Sequence, residues 1–273
     1  MYLILKNFSR SIYIMSWTIE QVKEYWDSHL NCTQFIIDKN LEIGSNQFFK
    51  HLEEAINRYQ YKINLFQKIA NSTQGKDLLE VGCGLGLEMA KLAELGFNVT
   101  GIDISPRAIE LCNLYLNKKN LNGLAEIQNA EKMNFRDEYF DIVYSSGVLQ
   151  HTPNIHRSIS EIYRVLKPGG KVFIILYHKY SWFNLLQKVS GKNIEFEDKD
   201  APIINSYSKN EVKTLFKNYQ NIIVETEYYH PLPTMRKGCM PFVFNKFFVP
   251  VMKTMPINII RKFGWHLVLT ANK

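Results

Sequence analysis

The sequence predicts an α/β protein built on a doubly wound, mostly parallel sheet, and three observations support this. Residues 77–81 form a short apolar run, typical of a buried strand, and lead directly into a glycine-rich turn. After the turn, apolar residues recur at helical spacing. Further strand and helix patterns then alternate to about residue 176. Such alternation is typical of a parallel sheet that binds its ligand at the carboxyl ends of the strands.

The predicted elements of this core follow in order. Strands are expected at 77–81, 98–102, 125–128, 141–145 and 171–176, and helices at 86–95, 106–118 and about 155–166. Gly96 follows the first helix in the C-cap position, while Ser105 and Pro106 open the second. The third helix is stopped by Pro168 and two glycines, which we expect to form a turn.

Helical patterns also precede this core. Residues 16–28 predict a short helix, and Ser45 can cap one long helix with an amphipathic stripe. The stripe comprises Phe49, Leu52, Ile56, Tyr59, Ile63 and Phe66. After Gly191, a capping box at 208–211 opens a helix to about residue 219. Residues 222–228 and 265–270 predict two more strands, separated by an insertion at about 230–263.

The composition is that of an ordinary globular protein, with 46% hydrophobic and 22% charged residues. The charged residues behind the net charge of +7 are unevenly distributed along the chain, because residues 228–273 contain seven basic side chains and no acidic one. The four cysteines are scattered without a Cys-x-x-Cys pair, which favours a reduced, cytoplasmic protein over a disulfide or zinc framework. No metal-ligand spacing, cleavable signal peptide or membrane-length apolar run is recognised.

The glycine turn at 80–86 (Glu-Val-Gly-Cys-Gly-Leu-Gly) narrows the choice of ligand. A dinucleotide fingerprint requires glycine at the position of Leu87, and a phosphate loop requires a Gly-Lys-Ser/Thr ending that is missing. The turn therefore does not indicate a pyrophosphate. Asp103 ends the second strand, where a carboxylate can accept both hydroxyl groups of a ribose.

Five motifs occur in a fixed order: residues 80–86, Gly-Ile-Asp at 101–103, Asn-Ala-Glu at 129–131, Phe-Asp-Ile-Val-Tyr-Ser-Ser-Gly-Val-Leu-Gln-His at 140–151, and Leu-Lys-Pro-Gly-Gly at 166–170. With them, the chain resembles the class I S-adenosylmethionine-dependent methyltransferases over roughly residues 70 to 178. It is most similar to the group that includes ubiquinone- and menaquinone-biosynthesis and other small-molecule methyltransferases. The last motif marks the family, and we expect it to touch no ligand.

The resemblance implies a Rossmann-like sheet of seven strands, the last of them antiparallel. It also implies three regions: an N-terminal helical lid (1–70), a cofactor-binding core (71–190) and a C-terminal part of the sheet (191–273) that carries the insertion at 230–263. The lid is expected to cover the cofactor.

The resemblance further implies S-adenosyl-L-methionine as the cofactor and S-adenosyl-L-homocysteine as its product. Gly82, Gly84 and Gly86 leave room for the methionine part, and Glu80 serves its ammonium group, together with carbonyl groups near Ser145 and Ser146. Asp103 holds the ribose, and Ile104 packs on the adenine. Asn129, where family members usually have aspartate, and the amide of Ala130 contact the adenine edge.

For the acceptor, the family places Gln150 and His151 beside the transferred methyl group. His151 is the candidate general base, since imidazole titrates near neutrality; the alternative is that it only braces its loop through Thr152 or Asn154. Other candidate substrate contacts are Tyr177 and His178 after the fifth strand, and Tyr25, Trp26 and Tyr59 from the lid.

These residues predict methyl transfer to the oxygen, nitrogen or carbon of a small molecule. RNA or protein methylation, and a catalytically silent cofactor-binding module, remain alternatives. The Asn-Pro-Pro-aromatic signature of amino-methylating nucleic-acid enzymes is absent. Basic and aromatic residues interleave within 236–263, a pattern typical of a solvated cover, of a surface for anionic or lipophilic partners, or of an RNA surface. The sequence gives no strong nucleic-acid signal and leaves the oligomeric state open.

Overall fold

The computed structural model describes residues 17–30, 41–57, 59–185, 201–227, 246, 250 and 254–273. Its helices are α1 (Ile19–Ser28), α2 (Asn46–Ile56), α3 (Gln60–Ala70), α4 (Leu87–Glu94), α5 (Pro106–Lys118), α6 (Ile155–Val165), α7 (Lys209–Leu215) and α8 (Ile257–Arg261). Its strands are β1 (Asp77–Val81), β2 (Asn98–Asp103), β3 (Gly123–Ile127), β4 (Phe140–Ser146), β5 (Leu166–Tyr177), β6 (Gln220–Glu227) and β7 (His266–Asn272).

The seven strands form one sheet in the order β3-β2-β1-β4-β5-β7-β6. Strands β1 to β5 run parallel, and β7 pairs antiparallel with both β5 and β6. The predicted seven-stranded, mostly parallel α/β sheet with an antiparallel last strand is therefore confirmed. The strand order reverses direction at β1 and β4, so their carboxyl ends border the crevice where open α/β sheets bind ligands.

The two faces of the sheet carry separate hydrophobic cores. On one face, β1 contributes Leu78 and packs with α2 to α5 through residues such as Phe66 and Leu92. On the other, β1 contributes Leu79, which packs with α6 and α7. Because successive side chains of a strand point to opposite faces, the continuous apolar run of β1 serves both cores.

The structure corrects two details of the sequence prediction. The long helix expected after Ser45 is two helices, because the chain leaves helical geometry at Tyr59, which has φ −88° and ψ 75°. Ser45 caps the first of them, accepting from the Phe48 amide at 3.1 Å. The Leu-Lys-Pro-Gly-Gly motif is the start of β5 and not a turn. An irregularity between Phe140 and Ile142 in the β4 pairing accommodates it, and Gly169 adopts φ 74°.

Most of the basic and aromatic segment at 236–263 lies outside the described residues, so the interpretations offered for it stay predictions. The proposed division at residues 70 and 190 is likewise a prediction. Within the part of the chain that is described, no helix combines the length and apolar character needed to cross a bilayer.

Candidate functional site

The turn after β1 brings bare backbone against an open cavity. Gly82, Gly84 and Gly86 all have positive φ, at 78°, 49° and 77°. A Cβ on Gly82 would lie 2.1 Å from Val148 Cγ2, so the loop after β4 approaches too closely for any side chain there. A Cβ on Gly84, in contrast, would meet no atom within 4 Å. Gly84 therefore faces space that a ligand can fill.

Asp103, at the end of β2, is positioned by two backbone amides. The Gly84 amide donates to Oδ2 at 3.0 Å, and the Ser105 amide donates to Oδ1 at 3.0 Å. Burial raises the pKa of Asp103 above its ordinary value, while these amides oppose the rise. Each carboxylate oxygen keeps a further lone pair, so the group can still accept two hydroxyl groups.

The cavity runs from α1 across the carboxyl ends of β1, β2 and β4. Nine residues proposed from the sequence line it: Trp26, Gly82, Gly84, Asp103, Ile104, Asn129, Ala130, Ser146 and His151. Lining residues that the sequence did not single out as ligand contacts include Ile19, Val22, Ser105, Gln128 and Val148. The apolar residues of α1 carry no motif, since only the fold brings them over the cavity.

Glu80 lies beneath the glycine turn in a cluster of charged groups. It is 3% exposed, and its Oε2 has no hydrogen-bond partner. Burial, then the neighbouring Glu88 carboxylate, raises the pKa of Glu80 well above its ordinary value. A buried carboxylate oxygen without a hydrogen-bond partner favours a nearby cation or a proton. This observation fits an ammonium group bound at the β1 end of the cavity.

Two residues of this cluster were missed by sequence reasoning. Lys62 on α3 pairs with Glu88 on α4 and donates to Ser146 Oγ at 3.1 Å, while the Tyr144 hydroxyl donates to the other Glu88 oxygen. The ion pair is largely buried, with side chains 13% and 12% exposed. Neither residue belongs to a motif, and Lys62 falls on the polar side of the stripe assigned to packing.

His151 follows β4 in a short turn and is held in one orientation. Its Nδ1 lies 2.5 Å from the carbonyl oxygen of Ile203, which can only accept, so Nδ1 carries the proton. The Trp26 and Tyr177 rings pack edge-on at 5.1 and 5.5 Å. Burial lowers the pKa of His151 to about 4. The imidazole is therefore neutral at physiological pH, and its Nε2 holds a lone pair.

Thr152 and Asn154, the two residues considered as supports for His151, form hydrogen bonds with other partners. Thr152 Oγ1 donates to the Leu149 carbonyl at 2.8 Å, and Asn154 caps α6 by accepting from the Arg157 amide. The support for His151 comes instead from Ile203, on a segment far along the chain. That contact could not be read from local spacing.

Glu80 and the remaining predicted site residues lie outside the cavity lining. Gly86 caps α4 against Cys112, and Ser145 Oγ donates to the Val81 carbonyl at 2.9 Å. Tyr25 stacks on His29, and Tyr59 precedes α3. Gln150 is fully buried, Tyr177 stacks on Trp265, and His178 Nδ1 donates to the Gly264 carbonyl at 2.9 Å. Their assignments to cofactor or substrate stay predictions.

Asp27 attaches α1 to the core and was also missed. Its Oδ1 accepts from Ser105 Oγ at 2.8 Å and from the Arg107 amide at 2.9 Å, at the amino end of α5. These contacts, with the Arg107 amide foremost, lower the pKa of Asp27. A carboxylate is favoured there by the helix dipole. Asp27 thereby holds the cavity-lining face of α1 over the site.

Together, a buried acid with one unpartnered oxygen, a carboxylate one strand away and a neutral histidine at the cavity wall have the chemistry that a nucleoside with a charged amino-acid tail would require. Among the described residues, no group of three or more His, Cys, Asp or Glu side chains could hold a metal ion.

Known proteins are similar to this chain in sequence. Residues 79–174, from β1 into β5, match the family model described as a methyltransferase domain. A sterol 4-C-methyltransferase of Caenorhabditis elegans is 29% identical over 55% of this chain and 45% of its own length. A phosphoethanolamine N-methyltransferase of that organism is 35% identical over 44% of the chain and 28% of its own length. A ubiquinone biosynthesis O-methyltransferase of Rickettsia conorii is 28% identical over 59% of this chain and 57% of its own length.

Solved structures share the fold. A protein from Pyrococcus horikoshii superposes with a TM-score of 0.57 at 20% identity, covering 92% of this chain and 98% of that one. An S-adenosylmethionine-dependent methyltransferase from Methanosarcina mazei superposes with a TM-score of 0.53 at 22% identity, covering 75% of this chain and 96% of that one. The chain thus matches about a quarter to three-fifths of the length of the curated relatives named above.

The fold and these likenesses support a class I S-adenosylmethionine-dependent methyltransferase. Residues 79–174 match the methyltransferase domain, and S-adenosyl-L-methionine is the cofactor that this likeness implies. The named relatives methylate carbon, nitrogen or oxygen according to their names, so the likeness does not select one of these atoms for this chain.

Proposed function

We propose that this chain transfers the methyl group of S-adenosylmethionine to a small-molecule acceptor bound beside His151. The observation that carries the proposal is the continuity of the cavity, in which Gly84, Asp103 and His151 line one space. In that space a nucleoside held at Asp103 reaches the histidine without crossing another wall.

Each part of the cofactor is assigned to different residues. Asp103 holds the ribose hydroxyls, Asn129 and Ala130 hold the adenine edge, and Glu80 receives the ammonium group. When bound, the cofactor supplies a methyl group on an electron-poor sulfur. The protein positions the acceptor and excludes water, which is most of what such a displacement requires.

His151 takes the acceptor's proton where the acceptor has one to lose. Its Nδ1 proton is committed to Ile203, so Nε2 is the nitrogen left to act as base. Trp26, from α1, covers the histidine ring. Transfer to the acceptor thus takes place beneath the N-terminal helices.

The experiment is to incubate the protein with methyl-labelled cofactor and a small-molecule extract, and to follow the label into low-molecular-mass products. We expect label in products that survive nuclease and protease treatment. Asp103→Ala should reduce transfer and weaken S-adenosylhomocysteine binding at least tenfold, about 1.4 kcal/mol or more, by calorimetry. Label found in RNA or protein would select those acceptors. Binding without any transfer would favour a silent binding module.

A further inference from the structure

We infer that this chain does not recognise the 6-amino group of the cofactor's adenine, because Asn129 presents its amide nitrogen, and not its oxygen, to the purine. The inference deepens the proposed function and rests on it, since it concerns the same cofactor. A cofactor analogue that lacks the amino group should therefore bind about as tightly as the natural compound.

The orientation of the Asn129 amide is the first argument. The Glu131 backbone amide lies 2.8 Å from this side chain, and a backbone N–H can only donate, so the atom that receives it is Oδ1. Among the described residues, Nδ2 has no hydrogen-bond partner. Asn129 lines the cavity. Its Nδ2 is therefore the amide atom left to meet a ligand.

The rigidity of this turn is the second argument. Glu131 Oε1 accepts from the Asn154 amide at 2.6 Å, at the start of α6, and the Lys132 amide donates to the Asn129 carbonyl at 2.9 Å. Exchanging the oxygen and nitrogen of the Asn129 side chain would bring Nδ2 against the Glu131 amide. Two donors would then face each other, and the backbone amide would lose its acceptor. The protein thus sets the orientation before a ligand binds.

Other polar side chains that line the same cavity are also engaged by the protein. Gln128 Oε1 receives the Asn134 amide at 2.8 Å. Ser105 Oγ receives the Ala108 amide at 3.0 Å and donates its own proton to Asp27. Each of these oxygens already holds a backbone amide, as Asn129 Oδ1 does. They do not restore the acceptor that the Asn129 orientation withholds from the purine.

The edge of adenine explains what this orientation changes. Adenine presents a donor, its 6-amino group, beside an acceptor, its ring nitrogen N1. Asn129 Nδ2 and the Ala130 amide are both donors, so each suits a ring nitrogen and neither suits the amino group. An aspartate at this position would keep one oxygen for the Glu131 amide and present the second to the amino group. Asparagine therefore removes recognition of the 6-position.

The test is calorimetric binding of S-adenosylhomocysteine and of S-nebularylhomocysteine, in which hydrogen replaces the 6-amino group. For the parent protein, we expect the two affinities to agree within threefold. Asn129→Asp should create a preference of at least tenfold for S-adenosylhomocysteine, because the second carboxylate oxygen accepts from the amino group. The parent measurement requires no variant, so it decides the question even if Asn129→Asp folds poorly.

Asn134→Asp is the matched control. It adds the same charge to the same loop, but Asn134 is exposed and is not among the residues that line the cavity. It should change neither affinity more than twofold. Asn129→Ala removes Nδ2, and the ring nitrogen that Nδ2 contacts is present in both compounds. This variant should therefore weaken both by a similar factor.

A parent protein that prefers S-adenosylhomocysteine by more than threefold would overturn the inference, since the amino group would then be recognised. So would an Asn129→Asp variant whose preference stays below tenfold. Neither result would touch the proposed function. A parent protein that binds neither compound would instead refute the cofactor site itself.

Discussion

The environment of His151 decides how a base in this cavity depends on pH. His151 is 5% exposed, and its Nδ1 proton is donated to the Ile203 carbonyl. Burial favours the neutral form, and this lowers the pKa to about 4. An unperturbed histidine would gain a proton near pH 6.5 and stop acting as a base. His151 does not gain one until the pH is far lower.

We therefore expect kcat/KM to stay level from about pH 8 down to about pH 5, and to fall about tenfold per unit below pH 4. His151→Ala should reduce kcat at least tenfold while changing S-adenosylhomocysteine affinity less than threefold. His156→Ala, an exposed histidine on α6, is the control and should keep parental kcat. A rate that falls near pH 6.5, or equal activity of His151→Ala, would contradict the base assignment.

At the scale of elements, the position of α1 depends on one carboxylate. Asp27 gives the Arg107 amide and the Ser105 hydroxyl a common acceptor, and so joins α1 to the first turn of α5. Val22 on α1 is buried, and Ile19, Val22 and Trp26 line the cavity. The helix is short, and such helices gain most of their stability from packing and caps.

Asp27→Ala should lower the free energy of unfolding by about 1 kcal/mol, as loss of a helix-capping acceptor typically does. It should also weaken S-adenosylhomocysteine three- to tenfold, because the cavity wall made by α1 is less firmly held. The comparison is Glu24→Ala, an exposed acid on α1, which we expect to bind within twofold of the parent. If the two variants bind equally well, Asp27 has no part in holding α1 over the ligand.

The helices also show where local patterns lose predictive power. The stripe from Phe49 to Phe66 correctly marked buried positions such as Leu52 and Phe66. It did not reveal the break before α3, because apolar residues spaced three and four apart can continue across two separate helices. The break redirects the chain, and α3 then presents Lys62 to Glu88. A polar residue on the exposed side of a predicted stripe thus became part of the charged cluster.

For the whole molecule, the sheet was predictable because each strand and its following helix carry their own signal. The glycine turn and Asp103 were predictable for the same reason, since each site residue lies within a motif at the end of a strand. The contacts of His151 with Ile203, of Glu88 with Lys62 and of Ser105 with Asp27 join residues 52, 26 and 78 positions apart. Such pairs depend on topology, and no local period encodes them.

Glu80 links the site to the stability of the whole protein. Its pKa is raised in the folded state, so the folded chain keeps a proton that the unfolded chain releases near the ordinary value of 4.5. Between these two values the folded state binds more protons, and stability falls as pH rises. The penalty is fully present once Glu80 ionises, and a bound ammonium group offsets it.

We expect Glu80→Gln to raise the melting temperature of the ligand-free protein at pH 8 and to reduce the decline of the melting temperature as the pH rises above the ordinary carboxyl pKa of 4.5. In the parent, S-adenosylhomocysteine at 100 times Kd should add about 2.7 kcal/mol of stability, or about 5–10 °C. Since glutamine gives the ammonium group no charge, the variant should bind at least tenfold more weakly. Glu110→Gln, on the exposed side of α5, should change neither property. A variant that melts below the parent at pH 8 would show that Glu80 stabilises the ligand-free fold. The ionised carboxylate would then not need a bound cation to offset a penalty.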